Sequence, residues 1–290
     1  MAERGTAVCD STINLVALFL LYLFNTLNFA YSTLNLVRSS LSFFLGNLIN
    51  IGSNDYLCRL FKFFFKARPS LPRYLVSWDV NKLLSFLMTW HPSSSLSLEK
   101  LTLKTIALVA VSSSDRGQTL EAIDINHSSF TNEGIVFPIY TLLKTSRKNQ
   151  PVKIVKCIKS SIPELDVCEY VSTYMNRTLK FRLKAVEQGH EKPRQLFLSY
   201  FSGKPIKRAT ISKYLMKVMA LAGIDINCFK AHSIRGVFPS LMKEKGFSTH
   251  QILSQGDWSR VTTFDRFYNR VPEDSPAGIM IREVAGRRRN

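Results

Sequence analysis

Four side chains near the C-terminus have types and spacings that suit chemistry at a phosphate. His232 and Arg235 are three residues apart, so on a helix they would share one face and could reach one anion together. Trp258 and Tyr268 follow them along the chain. Tyr268 comes after a threonine that can cap a helix and after phenylalanines at helical spacing, which predicts a short anchored helix at the phenol.

In this order the four residues resemble the C-terminal motif of the tyrosine recombinases, the phage-integrase superfamily. That motif is His-x-x-Arg, then a His or Trp, then the nucleophilic Tyr. Residues 229–236 (FKAHSIRG) and the stretches 257–259 and 263–268 look most like recombinases of eukaryotic mobile elements of the DIRS or Crypton kind. The resemblance implies cleavage and rejoining of DNA with no metal or other cofactor.

The family also carries an upstream Arg and a Lys. An apolar helical pattern over residues 98–113 ends in Ser114-Asp115-Arg116-Gly117, which matches the place of the first Arg, so we assign Arg116. Two β-like stretches then flank the basic turn of residues 144–150. The family's Lys lies on such a hairpin. We assign Lys144, with Lys148 as the second choice; the alternative is a solvated hairpin tip for both.

These residue types suit phosphodiester chemistry. Two guanidinium groups, Arg116 and Arg235, can clamp the charged transition state because they are always protonated and bidentate. Tyr268 can form a covalent phosphoenzyme that keeps the bond energy for rejoining. His232 would act as base or hydrogen-bond donor, Lys144 would protonate the 5′-oxygen, and Trp258 would wall the site. The resemblance implies a 3′-phosphotyrosine and a free 5′-hydroxyl.

The charge balance favours a polyanionic partner. The chain has 290 residues with 39 Lys and Arg against 21 Asp and Glu, which leaves a net charge of +18. Dense cations neutralise phosphates and release counterions, so double-stranded DNA is the predicted partner and a membrane surface is the competitor. The apolar run 13–24 is shorter than the roughly 20 residues that a bilayer crossing needs, so we predict a buried helix and no membrane partner.

The five cysteines are an odd number without a C-x-x-C pair, which disfavours metal sites and a disulfide framework. Length and pattern favour two domains. We predict a helical, SAM-like core-binding domain over residues 1–74 and a catalytic domain over 75–290. The fold class is mainly α with a small antiparallel β-sheet, the mixed α+β DNA breaking-rejoining fold, with later helices over 164–179 and 211–222.

Two further helices are predicted in the first domain. Ser32 would cap one that buries Phe44, and residues 55–66 would form another that buries Phe65. Their polar faces and the following linker carry the predicted DNA-binding cations, for which a solvated surface is the alternative. With the hairpin lysine, these are Arg38, Arg59, Lys62, Lys66, Arg68, Arg73 and Lys148.

Two features depart from the family pattern. Pro239 removes a hydrogen bond from the helix that begins near His232 and could tilt the His-Arg pair. Thr119 stands where many relatives have an acidic residue.

The tail has two predicted roles. A short helix opening at Ser275-Pro276 could dock on a neighbouring protomer as a dimer or tetramer on DNA, or on its own domain. Arg287 to Arg289 are a weak nuclear-localisation or DNA-contact signal, for which an unstructured basic tail is the alternative.

The leading hypothesis is a DNA recombinase. The alternatives are a catalytically silent DNA-binding derivative of a mobile element, a type IB topoisomerase, and a membrane-associated protein anchored by residues 13–24.

Overall fold

The computed structural model describes residues 2–46, 49–69, 74–256, 261–267, 271–272 and 275–287. Arg73, Trp258 and Tyr268 lie outside the described residues, as do Arg288 and Arg289 of the tail. The chain divides into two compact units, Met1–Pro72 and Arg73–Asn290, here called the first and the second unit.

The first unit is helical. Its helices are α1 (Ala2–Asn25), α2 (Tyr31–Leu45) and α3 (Asp55–Ala67). They pack around a separate apolar cluster in which Leu20, Leu34 and Phe64 are fully buried. The apolar run predicted as a buried helix lies in α1, where one face is buried and the opposite face, with Leu15 and Leu18, is exposed.

Three details of this unit were predicted wrongly. α2 begins at Tyr31 after Ala30, with no side-chain cap, so Ser32 is not its cap. Phe44 lies in the last turn of α2 and is exposed. Phe65 is exposed as well, because neighbours on a helix point about 100° apart and Phe64 already fills the inward position.

The second unit is mostly helical with a small sheet. Its helices are α4 (Val80–Met88), α5 (Leu98–Ser113), α6 (Gly117–Glu121), α7 (Val167–Glu187), α8 (Arg208–Leu221), α9 (Ile234–Glu244), α10 (Thr249–Gly256), α11 (Val261–Phe267) and α12 (Pro276–Arg287). Its strands are β1 (Val76–Ser77), β2 (Ser129–Phe130), β3 (Gly134–Ile139), β4 (Lys153–Ile158) and β5 (Val271–Pro272). The predicted fold class is confirmed.

Helix α5 is the centre of the second unit. It spans the predicted residues, begins at Ser97, whose hydroxyl accepts the Lys100 N–H at 3.2 Å, and is buried on all sides. Helices α7, α8 and α9 and strand β4 all contact it. A helix that is apolar all round belongs in a core, and this one holds its C-terminal end rigidly in the middle of the unit.

The sheet confirms the predicted hairpin. Strands β2, β3 and β4 are antiparallel in that order, with Phe137 opposite Val155 and Ile135 opposite Cys157. These four residues are buried, whereas Ile154 and Ile158 face outwards, as the period of two requires. β1 and β5 form a separate parallel pair, so the end of the chain returns to the start of the second unit.

The tail helix was predicted with two alternative docking sites. In α12, Ile281 packs against the main core of the second unit, while Met280 and Val284 are exposed. Among the described residues no helix is long and apolar enough to cross a membrane. Nor do three His, Cys, Asp or Glu side chains in that part of the chain come together as metal ligands.

Lys104 places a cation in the core of the second unit. Its ammonium donates to the Trp90 carbonyl at 2.7 Å and lies 3.8 Å from the centre of the Tyr170 ring. Burial lowers the pKa of Lys104 to about 8, although Glu169 and Glu164 oppose the shift. In the unfolded chain the pKa returns to its usual range, so the unfolded state binds more protons between these values and stability contributed by this group rises with pH.

We therefore predict that Lys104→Met stabilises the protein more at neutral pH than at alkaline pH. The difference in unfolding free energy between variant and wild type should shrink by about 2 kcal/mol between pH ~7 and pH ~10, measured by urea denaturation. Comparing the variant with wild type removes the contribution of the buried thiols of Cys157 and Cys168. Their pKa values are raised, so they make stability fall with rising pH in both proteins. The exposed Lys180→Met is the control, and a pH-independent difference for Lys104→Met would contradict the prediction.

Candidate active site

The first predicted arginine sits in a tight connection between two helices. α5 ends at Ser114, which adopts left-handed backbone angles with φ 54° and whose N–H donates to the Ala110 carbonyl at 3.1 Å. That conformation is uncommon outside glycine and reverses the chain direction. Asp115 follows, and Arg116 is the N-cap of α6. The turn of residues 114–116, here called the arginine turn, therefore directly follows the buried C-terminal end of α5.

The second predicted arginine is brought to the arginine turn. Arg235 lies in α9, is 3% exposed, and donates from Nε to the Ser114 carbonyl at 3.1 Å. The two residues are 121 positions apart in the chain. The fold thus places the guanidinium of Arg235 beside the turn that carries Arg116. Their roles in catalysis remain predictions.

A buried ion pair joins the sheet to the arginine turn. The Lys153 ammonium lies 3.1 Å from an Asp115 carboxylate oxygen, and the Asp115 side chain is 3% exposed. A buried carboxylate needs such a partner because an isolated charge costs several kcal/mol. Sequence reasoning missed both residues, although Asp115 adjoins Arg116 and Lys153 lies in the predicted β-like stretch.

The hairpin lysines differ in how the backbone holds them. The Lys144 N–H donates to Oε1 of Gln118, a residue of α6, at 3.2 Å, which fixes that point of the hairpin beside the arginine turn. The preceding Leu143 is buried and donates its N–H to the Ser146 hydroxyl at 2.9 Å. Both Lys144 and Lys148 have exposed side chains. The assignment of Lys144, with Lys148 as second choice, stays a prediction.

His232 does not share a helix face with Arg235. It lies in the 3-10 turn Ala231–Ser233, and α9 begins only at Ile234. His232 is exposed whereas Arg235 is buried, because the turn directs the histidine outwards before the helix enters the core. The neighbouring Ser233 fixes this turn, since its hydroxyl accepts the buried Trp78 indole N–H at 2.8 Å.

An open groove of about 440 Å³ lies beside His232. It is lined by Ser212, Lys213, Met216, Lys230, Ala231 and His232. The Lys230 backbone N–H is held by the Tyr74 hydroxyl at 3.1 Å. The Lys230 ammonium donates to the Ile226 carbonyl at 2.8 Å, so this side chain also holds the backbone at the edge of the groove.

Pro239 does not end α9. It lies inside the helix, which continues to Glu244. Proline has no N–H for the Arg235 carbonyl one turn earlier, so that helical hydrogen bond is missing as predicted. One residue on, the Ser240 hydroxyl donates to the Gly236 carbonyl at 2.7 Å. Thr119, the other residue that departs from the family pattern, is buried in α6.

The segments on both sides of Tyr268 belong to the second unit. Phe264 of α11 is buried against Ile252 of α10, which confirms its predicted anchoring role. The Lys243 ammonium of α9 lies 3.4 Å from the Asp265 carboxylate of α11. After position 268, β5 pairs with β1. The predicted nucleophile is thus bracketed by α11 and β5.

The predicted DNA-binding cations of the first unit fall into two groups. Arg59, Lys62 and Lys66 are exposed along α3. By contrast, Arg38 donates to the Gly52 carbonyl and lies 4.9 Å from the Phe61 ring centre. Arg68 donates to the Phe24 and Phe29 carbonyls at 2.8 and 3.3 Å. Arg38 thus ties α2 to the loop before α3, and Arg68 ties the end of α3 to the end of α1, which the sequence pattern did not indicate.

Two cations next to the arginine turn were missed. Lys207 and Arg208 open α8, and both contact Glu121 of α6: the Lys207 ammonium at 3.4 Å and the Arg208 backbone N–H at 2.9 Å. The exposed Arg208 side chain passes so close to Gly117 that an added Cβ there would lie 3.1 Å from its Cγ. The basic pair in the sequence was the available signal.

The sequence of the second unit matches a known protein family. The Phage integrase family profile matches residues 73–274, most of the second unit. The chain belongs to the phage integrase family. No curated protein sequence is a significant match.

Solved integrase structures share the fold of this family member. The Tn1549 transposon integrase in complex with transposon right end DNA is 15% identical, with 97% of this chain and 91% of that chain covered and a TM-score of 0.55. A lambda integrase dimer bound to a COC′ core site is 13% identical over 89% and 79%, with a TM-score of 0.51. XerA recombinase is 13% identical over 94% and 81%, with a TM-score of 0.50.

The buried ion pair between Asp115 and Lys153 should contribute more to the free energy of unfolding than an exposed ion pair does. Asp115→Asn leaves the Lys153 ammonium without its anion, so we expect a loss of about 2 kcal/mol of unfolding free energy by urea denaturation. Adding Lys153→Met should recover most of it. Asp265→Asn, which breaks the half-exposed pair with Lys243, should change it by less than about 0.5 kcal/mol. Equal effects for the two carboxylates would contradict a structural role for Asp115.

Proposed function

We propose that this phage-integrase family member is a site-specific DNA recombinase that cleaves and rejoins strands through a 3′-phosphotyrosine. The observation that carries the proposal is the hydrogen bond from Arg235 to the Ser114 carbonyl, which holds a buried guanidinium beside the turn of Arg116. Two guanidinium groups carried beside one turn would match the non-bridging oxygens of one phosphodiester. The DIRS or Crypton resemblance favours a mobile element as its origin.

The proposed reaction is two successive transesterifications. The Tyr268 oxygen attacks phosphorus, its proton goes to His232 or water, and a Tyr–O–P bond forms as the P–O5′ bond breaks. Lys144 gives a proton to the leaving 5′-oxygen. A 5′-hydroxyl from a partner strand then attacks the phosphotyrosine and gives its proton to Lys144. A new P–O5′ bond forms as the Tyr–O–P bond breaks, and the Tyr268 oxygen takes its proton back from His232 or water. Trp258 would close the site, and bond count and charge balance without a cofactor.

Duplex DNA is the proposed substrate. Arg59, Lys62 and Lys66 offer one line of exposed cations in the first unit, which we assign to core binding over residues 1–74. In the second unit, assigned to catalysis over residues 75–290, Lys207 and Arg208 extend the positive surface from the arginine turn. Phosphate contacts of this kind position a protein on DNA without reading its sequence.

Assembly and location are also proposed. The exposed Met280 and Val284 of α12 could dock on a neighbouring protomer in a dimer or tetramer on DNA. The basic tail at Arg287 to Arg289 would direct the protein to the nucleus of a eukaryotic host.

The test of the proposed function is trapping on a nicked suicide duplex that carries candidate element ends. Wild type should form a covalent protein–DNA adduct, whereas Tyr268→Phe should form none and should bind the same DNA within about twofold, since one hydroxyl is lost. The readouts are a denaturing gel and a binding titration. An adduct formed by Tyr268→Phe would place the nucleophile elsewhere.

A matched pair of arginine variants tests whether Arg235 contacts the phosphate or only stabilises the fold. Arg235→Lys keeps the positive charge but loses the planar, bidentate donors of the guanidinium, so adduct formation should fall at least ~100-fold. Arg182 is an equally buried arginine that donates to the Gln195 and Leu196 carbonyls at 2.9 and 3.0 Å, away from the arginine turn. Arg182→Lys should lower the melting temperature yet leave the adduct yield of the folded protein unchanged. Equal loss of adduct in both variants would assign Arg235 a structural role.

Salt dependence tests the DNA interface of α3. The log–log slope of duplex affinity against salt should correspond to at least ~6 phosphate contacts in wild type. Changing Arg59, Lys62 and Lys66 to Glu together should flatten the slope by about three units. Lys180, Lys184 and Lys192, all exposed in the second unit, give a control with the same charge change and a shift under about one unit.

Two outcomes would favour other functions. A steep salt slope without an adduct on any duplex would favour the catalytically silent DNA-binding derivative. Partition to anionic liposomes, with DNA affinity independent of salt, would favour the membrane-associated protein.

A further inference from the structure

Strand β4 is an edge strand whose exposed side chains are mostly apolar. The strand order is β2-β3-β4, and among the described residues no strand pairs with the far side of β4. Its side chains alternate, so Val155 and Cys157 are buried. Ile154, Lys156 and Ile158 face outwards, and the two isoleucines are 45 and 65% exposed. These three outward residues are here called the β4 edge.

The backbone of the β4 edge points away from the rest of the sheet. The Lys159 N–H donates to the Glu133 carbonyl at 2.9 Å, so these two residues form a hydrogen-bonded pair of the antiparallel ladder. Such pairs alternate with pairs that exchange no hydrogen bond, and Lys156 opposite Val136 is of the second kind. The N–H and C=O groups of the β4 edge therefore face the open side, where an added strand would bind.

The surface beside the β4 edge continues the apolar face. Val136 and Pro138 of β3 are half-buried on this side of the sheet. Tyr140 and Val152, just beyond the two strands, are 64 and 47% exposed. With the two isoleucines they leave on the order of 400 Å² of apolar side chain open, the size of a functional patch. Within the outward positions of β3 and β4, Lys156 carries the single charge.

A second copy of the chain and a DNA backbone both fit the β4 edge poorly. Two such edges, paired antiparallel with isoleucine opposite isoleucine, would set Lys156 opposite Lys156. Like charges directly opposite each other destabilise a sheet, and a lysine on an edge strand is a common guard against self-pairing. A DNA backbone needs a line of cations, whereas apolar side chains flank Lys156 on both sides. The fitting occupant carries a negative charge between apolar side chains.

We propose that the β4 edge binds an extended acidic segment of another protein as an added strand. A segment that reads apolar-x-acidic-x-apolar would place its carboxylate beside the Lys156 ammonium and its apolar side chains beside Ile154 and Ile158. Hydrogen bonds between the two main chains supply the affinity, and the ion pair selects acidic over basic segments. The net charge of +18 favours a partner of the same sign. This binding needs no DNA and is independent of the recombinase function.

The test titrates two peptides into the full chain and follows backbone amides by NMR. The acidic peptide is Ser-Val-Thr-Glu-Thr-Val-Ser with blocked ends, and the basic peptide has Lys in place of Glu. One short strand covers less than the roughly 1,200–2,000 Å² of stable complexes, so peptide is added to about 1 mM. The amides of the β4 edge should shift and exchange their hydrogens more slowly, because they gain acceptors. The acidic peptide should bind about 5-fold tighter than the basic one.

A charge reversal on the β4 edge gives the matched variant. Lys156→Glu should reverse the preference, so that the basic peptide binds about 5-fold tighter than the acidic one. Lys184→Glu makes the same charge change at an exposed position near the end of α7 and should keep the preference of wild type. Melting curves establish that both variants fold. An acidic peptide with N-methylated amides should lose binding, because it cannot donate to the β4 edge.

Several results would overturn the proposal. These are unshifted β4-edge amides at the highest peptide concentration, equal binding of the N-methylated peptide, and the same preference in wild type and Lys156→Glu. Shifts of these amides on raising the protein concentration alone would assign the edge to a second copy, and shifts on adding duplex DNA alone would assign it to phosphate. Peptide binding with the expected preference, in a protein that forms no DNA adduct, would support the proposal while the recombinase function fails.

Discussion

The hydrogen bond from the Arg235 guanidinium to the Ser114 carbonyl is the contact on which the arrangement of the second unit depends. A buried guanidinium is costly unless its N–H groups find acceptors, so the core must supply an oxygen at that place. The left-handed Ser114 does so by turning the end of α5 towards α9. The helix that ends in this turn and the helix that carries Arg235 are thereby held at one point.

Opposite charges meet at the arginine turn. The Asp115 carboxylate is paired with the Lys153 ammonium of β4, and the Ser114 carbonyl of the same turn accepts from Arg235 of α9. Both contacts lie beside the buried end of α5, where screening by water is limited and electrostatic interactions are stronger than at the surface. The sheet, α5 and α9 are thereby joined at one turn.

The cations of the first unit have two different environments. Arg59, Lys62 and Lys66 are exposed along α3. Arg38 and Arg68 instead donate to backbone carbonyls and stabilise the unit. The helices therefore differ in what their exposed faces present, since Leu15 and Leu18 are exposed on α1.

The sequence by itself determined the elements with strong periodicity or motif content. The bounds of α5, the β3–β4 hairpin, the anchoring of α11 by Phe264 and the family of the chain were all predictable, because period and order are local properties of a chain. The inward face of α3 was predictable for Leu57 and Phe61 but not for Phe65, since packing decides which of two adjacent aromatics is covered. The exposed end of α2 at Phe44 is a similar case.

Only the tertiary structure decided which charged residues hold the fold together. Arg38, Arg68 and Arg182 donate to backbone carbonyls, whereas Arg59 is exposed, and no local pattern separates these two kinds of arginine. The pairing of Asp115 with Lys153 and the contact of the Lys144 backbone with Gln118 join segments that are distant in the chain. The His232 orientation was fixed likewise, because the Ser233 to Trp78 hydrogen bond joins residues 155 positions apart. Such contacts depend on chain topology, which residue types and spacing do not encode directly.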